Sequence, residues 1–206
     1  MKAETHQRVQ EIKRSFRQMM DGAVAKSMRD KGLDYKLNWG AAIPRLQEMA
    51  GEIGKDYELA VELWKENVRE CKILATMVMP SDAMIPELVD VWMEQTNSVE
   101  IAEQASYNLY QYLDDAPQRA YQWMASERSV CQLCGFLVLT RLFMKGQEPN
   151  ERGINEFLDQ ALAALQGEDL PVRKAAMNSV LRFAELGLMY ERLAKSALKS
   201  IHLDFL

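Results

Sequence analysis

The chain has 206 residues, 48% of them hydrophobic and 27% charged, which is enough apolar side chain for one domain of ordinary size to bury a core. No apolar stretch approaches the roughly 18 to 20 residues that cross a bilayer, and the opening MKAETHQRVQEIKRSFRQMM lacks the apolar centre of a secretory signal. The expectation is a cytoplasmic protein with no membrane contact. The net charge of −5 is uneven: residues 1 to 40 carry nine Lys/Arg against five Asp/Glu, residues 41 to 120 six against fifteen, and residues 121 to 206 ten against ten. A polyanion would be met by the first part and repelled by the middle, although ordinary solvated helix faces also produce such an asymmetry.

In chain order, the elements read as helices throughout. Asp21-Gly22 is the only hairpin-type dipeptide, and it lies inside an otherwise helical run. Pro44 opens a helix. ELAVELWKENVRECKILATMVM then places Leu59, Leu63, Val68, Cys71, Leu74 and Val78 at spacings of three to five, an amphipathic period that a strand cannot produce. Pro80, Pro86, Pro117, Pro149 and Pro171 fall between such segments or at their first turns, where a missing N–H costs little. No segment alternates with period two long enough to be a strand.

Four stretches repeat a pattern of short helix, polar break and longer helix: AVELWKENVRECKILATMV, DVWMEQTNSVEIAEQASYNLY, AYQWMASERSVCQLCGFLVLTRL and ALAALQGEDLPVRKAAMNSVLRF. Their anchors Trp64, Trp92, Trp123 and Leu165 are roughly 30 to 40 residues apart, the period of stacked helical pairs. The predicted fold is therefore all-α, an α-solenoid of antiparallel helix pairs forming one domain over residues 1–206, with a compact irregular bundle as the alternative.

The remaining motifs point away from metal or redox chemistry. Cys71, Cys131 and Cys134 are an odd count in a chain without a signal peptide, so they are expected to be reduced. Cys131-Gln-Leu-Cys134 has CxxC spacing but sits in a predicted helix, and the further ligands on offer, Cys71, His6 and His202, lie at irregular distances. These cysteines read as buried small residues. The thirteen methionines fall mostly at core spacing, and no Gly-rich phosphate loop, HExxH or nucleophile elbow is present. No metal and no cofactor are expected.

VAKSMRDKG followed by WGAAIPRL, then LAVELWKENVRECKILA, DVWMEQTNSVEIAEQ, YQWMASERSVCQLCGFLVL and PVRKAAMNSVLRFA, carry a likeness from about residue 18 to 190. In this order the chain resembles the AlkD-like family of DNA alkylation repair proteins, HEAT-like repeat folds that clasp duplex DNA and excise cationic alkylated purines. Where that family has Trp-Asp-x-x-Asp with an essential second Asp, this chain has Val99, Glu100, Ile101, Ala102 and Glu103. The resemblance implies that a family arginine beside the lesion falls at Leu133, and that a flanking tyrosine and tryptophan fall at Ser27 and at or near Asn178.

The resemblance thus makes Glu103, with Glu100 one turn before it, the candidate catalytic carboxylates. Lys26, Arg29, Lys31, Arg69, Lys72, Arg173, Lys174 and Arg182 are the candidate contacts to duplex DNA. A carboxylate close to the deoxyribose stabilises the oxocarbenium-like sugar left when a charged purine departs. The substitutions at Val99, Ser27, Leu133 and Asn178 imply weakened excision. A helical scaffold that binds protein partners is the alternative reading; a monomer suffices for either, and the oligomeric state is open.

Overall fold

Polar side chains at helix starts decide where the helices break. Asp21 Oδ1 accepts the N–H groups of Ala23 and Val24, and Asp56 Oδ1 accepts that of Leu59. Ser98 Oγ, Asn150 Oδ1 and Asp169 Oδ1 do the same for Ile101, Gly153 and Val172. Each cap satisfies a donor that the first turn would otherwise leave unpaired. Pro44, Pro117 and Pro171 stand in first turns, where they have no hydrogen bond to lose.

In the computed structural model, residues 3–33 and 35–201 are described; His202, considered above as a ligand, lies outside them. Among the described residues there are twelve α-helices and no strand beyond an isolated bridge between Leu37 and Val68. None of these helices is long and apolar enough to cross a membrane. Two compact units divide the chain, Met1–Asp90 and Val91–Leu206.

The first unit holds α1 (Ala3–Phe16), α2 (Gly22–Asp30), α3 (Ile43–Ile53), α4 (Tyr57–Lys65) and α5 (Arg69–Val78). The run expected to be helical through Asp21-Gly22 instead breaks there, because Asp21 is the cap of α2. Helix α4 packs on α1 and α5, and α5 also packs on α3. The segment entering α3 is tied to α5 by a buried ionic network. The Glu70 carboxylate accepts the N–H groups of Trp39 and Ala41 at 3.2 Å, while Arg69 Nη1 donates to Ala41 O at 2.8 Å and to Glu70 at 3.1 Å. Gly40 lies within this segment at φ +73°, and a Cβ there would come within 2.2 Å of Asp21 O.

The sequence assigned Arg69 to DNA, and the structure corrects that assignment. Its side chain is 2% exposed, with Nη1 held by Glu70 and a carbonyl, so it cannot reach a phosphate. A buried pair is costly to break from one side, since the surviving charge stays desolvated. Replacing Glu70 by Gln is expected to cost about 3–5 kcal/mol of unfolding free energy in urea titration. A loss under about 1 kcal/mol would show that the pair does not hold this segment.

Helix α6 (Pro86–Glu94) contains the boundary between the units, and the second unit continues with α7 (Val99–Asn108), α8 (Ala116–Met124), α9 (Ser129–Met144), α10 (Glu151–Gln166), α11 (Leu170–Ala184) and α12 (Leu188–Ala197). The four repeats expected from sequence are the successive helices α4–α5, α6–α7, α8–α9 and α10–α11. Helix α9 is the core of this unit, covered by α7, α8 and α11. Ten of its residues are buried, from Cys131 to Phe143. Phe143 meets Phe157 and Phe183 edge-on with ring centroids 5.1 and 5.5 Å apart, and Tyr190 closes the cluster at 5.2 Å from Phe183.

Helices α8 and α9 touch backbone to backbone at Gly135. A Cβ there would lie 2.6 Å from Ala120 O and 2.7 Å from Met124 N, neither of which can move without moving α8. The Gly135→Ala variant is therefore expected to lose about 1–3 kcal/mol of stability despite the better helix propensity of alanine. A thermal melt showing it equal to or above the wild type would contradict this packing.

Candidate functional site

The Ser98 cap starts α7 so that Glu100 falls in its first turn and Glu103 in the next. Three turns of different helices then meet around Glu103. A groove of about 400 Å³ is lined by Glu103 and Tyr107 of α7, Leu137 and Arg141 of α9, and Asn178 and Arg182 of α11. Within each helix the two residues are four apart, so each helix contributes one face. The structure thus brings together three residues singled out by sequence: Glu103, Asn178 and Arg182.

Burial against the protein raises the Glu103 carboxyl above its ordinary pKa, and the like charge of Glu100 adds to the rise. The groove also carries cations. Arg182 donates to both oxygens of Glu185 at 2.8 and 2.7 Å, while its Nε–H is buried without an acceptor among the described residues. The Arg141 guanidinium lies over the Tyr107 ring, 4.2 Å from the centroid, and Lys145 Nζ lies 4.3 Å from the Tyr112 centroid. A neighbouring hollow of about 430 Å³ is lined by Arg173, Lys174 and Asn178 with Leu181. Lys174, Asn178 and Arg182 follow at intervals of four, so one face of α11 runs through both hollows.

Leu133 does not occupy the place expected of it. It is 3% exposed and packed in the core, whereas the α9 residues beside Glu103 are Leu137 and, one turn further, Arg141. In the first unit, Lys26 and Arg29 are exposed on α2, with Lys31 in the turn that follows. Lys72 is half-buried on α5 with Nζ 4.3 Å from the Trp64 centroid, and burial lowers its pKa to about 8. Ser27 is exposed on α2, and Val99 is the first, half-buried residue of α7.

Sequence reading missed Arg141, Lys145, Tyr107 and Tyr112. The signal was present: a charge interrupts the apolar CGFLVLTRLFM at Arg141, and another follows four residues later. The three cysteines are buried, as expected of small core residues.

A carboxylate whose pKa is raised by a like neighbour should respond when that neighbour is neutralised. In a carbon-detected NMR titration Glu103 is expected to titrate above 4.5, the ordinary glutamate value, and Glu100→Gln should move its midpoint down. Because the folded pKa is raised, charging Glu103 opposes folding, and this small destabilisation sets in as pH rises through the carboxylate range. An unmoved midpoint in Glu100→Gln would remove Glu100 from the electrostatics of the groove.

A family model described as DNA alkylation repair enzyme matches residues 12–202. A solved structure described as belonging to a new family of proteins related to the HEAT-like repeat DNA glycosylases, with affinity for branched DNA structures, superimposes with a TM-score of 0.81. That superposition covers 93% of this chain and 82% of the other at 16% identity, a likeness of fold. No curated protein matches the sequence.

Proposed function

The chain belongs to the DNA alkylation repair enzyme family, and from that premise we propose that it binds DNA across the faces of α7, α9 and α11 and releases cationic alkylated purines slowly at Glu103. The observation that carries this reading is a carboxylate set among cations in one groove: Glu103 with Arg141 and Arg182 on the facing helices. The cations suit phosphate oxygens. The carboxylate suits the positive charge that develops on the sugar.

Alkylation at N3 or N7 gives the purine a positive charge before any enzyme acts. When the C1′–N9 bond breaks, its electron pair neutralises the base, and the deoxyribose carries the charge as an oxocarbenium-like centre. Water then adds to C1′ and gives up a proton. Glu103 stabilises the sugar cation and can align the water, while Glu100 holds the local potential negative. Neutral lesions, which need an acid to protonate the leaving base, fall outside this chemistry. Glutamate in place of the aspartate of related sequences adds a torsion, and a carboxylate misplaced by about an ångström costs on the order of 100-fold. The reading is therefore of slow excision.

The affinity for branched DNA described for the structural relative extends the substrate to consider beyond the plain duplex. Binding is expected to weaken by about one to three decades as salt rises from about 50 to about 200 mM, as displacement of counterions by several cations requires. Arg141→Ala should reduce the slope of log affinity against log salt by about one, and Arg182→Ala by less, because Glu185 already neutralises it. Glu103→Gln should bring 7-methylguanine release down to the spontaneous rate in the same buffer without weakening DNA binding. Equal release by wild type and Glu103→Gln would remove Glu103 from the chemistry, and absent or salt-independent binding would favour a protein-binding scaffold.

A further inference from the structure

We propose that the edge formed by α7, the turn after it and the end of α9 is a platform for unpaired DNA, on which Tyr107 and Tyr112 stack bases while Arg141 and Lys145 hold the adjoining phosphates. This deepens the DNA-binding reading and rests on it. The starting observation is where the aromatic rings of the second unit lie. Tyr110, Trp123, Phe143, Phe157, Phe183 and Tyr190 are all buried, whereas Tyr107 is 47% and Tyr112 55% exposed. Tyr110 and Tyr112 share one short 3-10 turn, so the turn sends one ring into the core and keeps the other outside it.

Both exposed rings are matched with a cation in the same order. Tyr107 faces Arg141 at 4.2 Å, and Tyr112, five residues on, faces Lys145, four residues on, at 4.3 Å. Four residues of helix advance about 6 Å, so the ring-and-cation unit repeats in a short, regular step. A nucleic acid strand also repeats a flat ring and a charge. The cations are available to it: elsewhere in this unit Arg119, Arg182 and Lys195 are paired with carboxylates, while among the described residues neither Arg141 nor Lys145 has an acidic partner. Burial and the positive charge of Arg141 lower the Lys145 pKa, as expected of two cations held close without an anion between them.

This chemistry distinguishes unpaired from paired DNA. In a duplex the base faces are stacked on one another and only edges and phosphates are accessible. Unpaired bases present their faces, and aromatic side chains bind those faces without regard to sequence. The duplex is thus held by the cations alone, and the tyrosines act only where a strand is open, as beside a gap, a flap or a branch.

The test compares a blunt duplex with the same duplex carrying a short single-stranded oligothymidine tail, both fluorescently labelled, by anisotropy at fixed salt. The wild type should bind the tailed form more tightly. Replacing Tyr112, which lies outside the groove beside Glu103, by leucine should weaken tailed binding several-fold and leave blunt binding within about twofold, and replacing Tyr107 as well should weaken tailed binding further, to roughly tenfold or more. Replacing both by phenylalanine, which keeps the ring, should retain the preference. Thermal melts of all variants verify that the fold is intact. Equal wild-type affinity for the two DNAs, or leucine variants that lose both or neither, would overturn the platform while leaving DNA binding in place. A wild type that binds no DNA would overturn the DNA-binding reading, and the platform with it.

Discussion

Covering α9 is the constraint on which the second unit depends. Its sixteen residues are apolar except for a few positions, so neighbouring helices must enclose it on nearly every side, and α7, α8 and α11 do so. Beyond its first turn, what escapes full coverage is Leu137, Arg141 and Met144, with Lys145 just beyond its end. A guanidinium has no tolerable place in a dry core without a partner. Arg141 therefore fixes the rotation of α9 about its axis, and the same rotation brings Gly135 against α8 and Phe143 into the aromatic cluster. The groove beside Glu103 is the rim left uncovered when this packing is complete.

The same logic separates what persists in such a fold from what changes. Core positions tolerate exchange among apolar residues of similar volume as long as the pattern is kept, which is consistent with a TM-score of 0.81 at only 16% identity. The groove residues lie on exposed faces, where packing dictates little. There the chemistry of what binds, rather than packing, constrains residues such as Glu103 and Asn178. The frame and the site answer to different forces, so one can be conserved in geometry while the other drifts in composition.

The helix pairs were legible in the sequence because their boundaries are written locally, in Asp56, Ser98, Asp169 and the first-turn prolines. The roles of individual charges were not, because they depend on residues far away in sequence. Arg69 looks like any surface cation until the backbone near Ala41 is brought against it, about thirty residues upstream. Arg141 looks like an interruption of a core helix until α7 supplies the ring it lies over. Leu133 and Leu137 share a residue type one turn apart, and only the direction from which α7 approaches shows which of them borders the groove. The position of Glu103 on α7, one turn after Glu100, could be read because the helix start is set locally by Ser98.

The buried thiols have a meaning for the conditions in which such a protein works. Alkylating agents that methylate purines also attack cysteine, and they attack the thiolate far faster than the thiol. Burial raises the pKa of both Cys71 and Cys134 to about 12, and Cys131 is enclosed with them. At physiological pH all but a trace of the Cys71 and Cys134 sulfur is protonated and shielded from solvent. Both thiols are thus poor nucleophiles toward electrophiles that react readily with exposed thiolates.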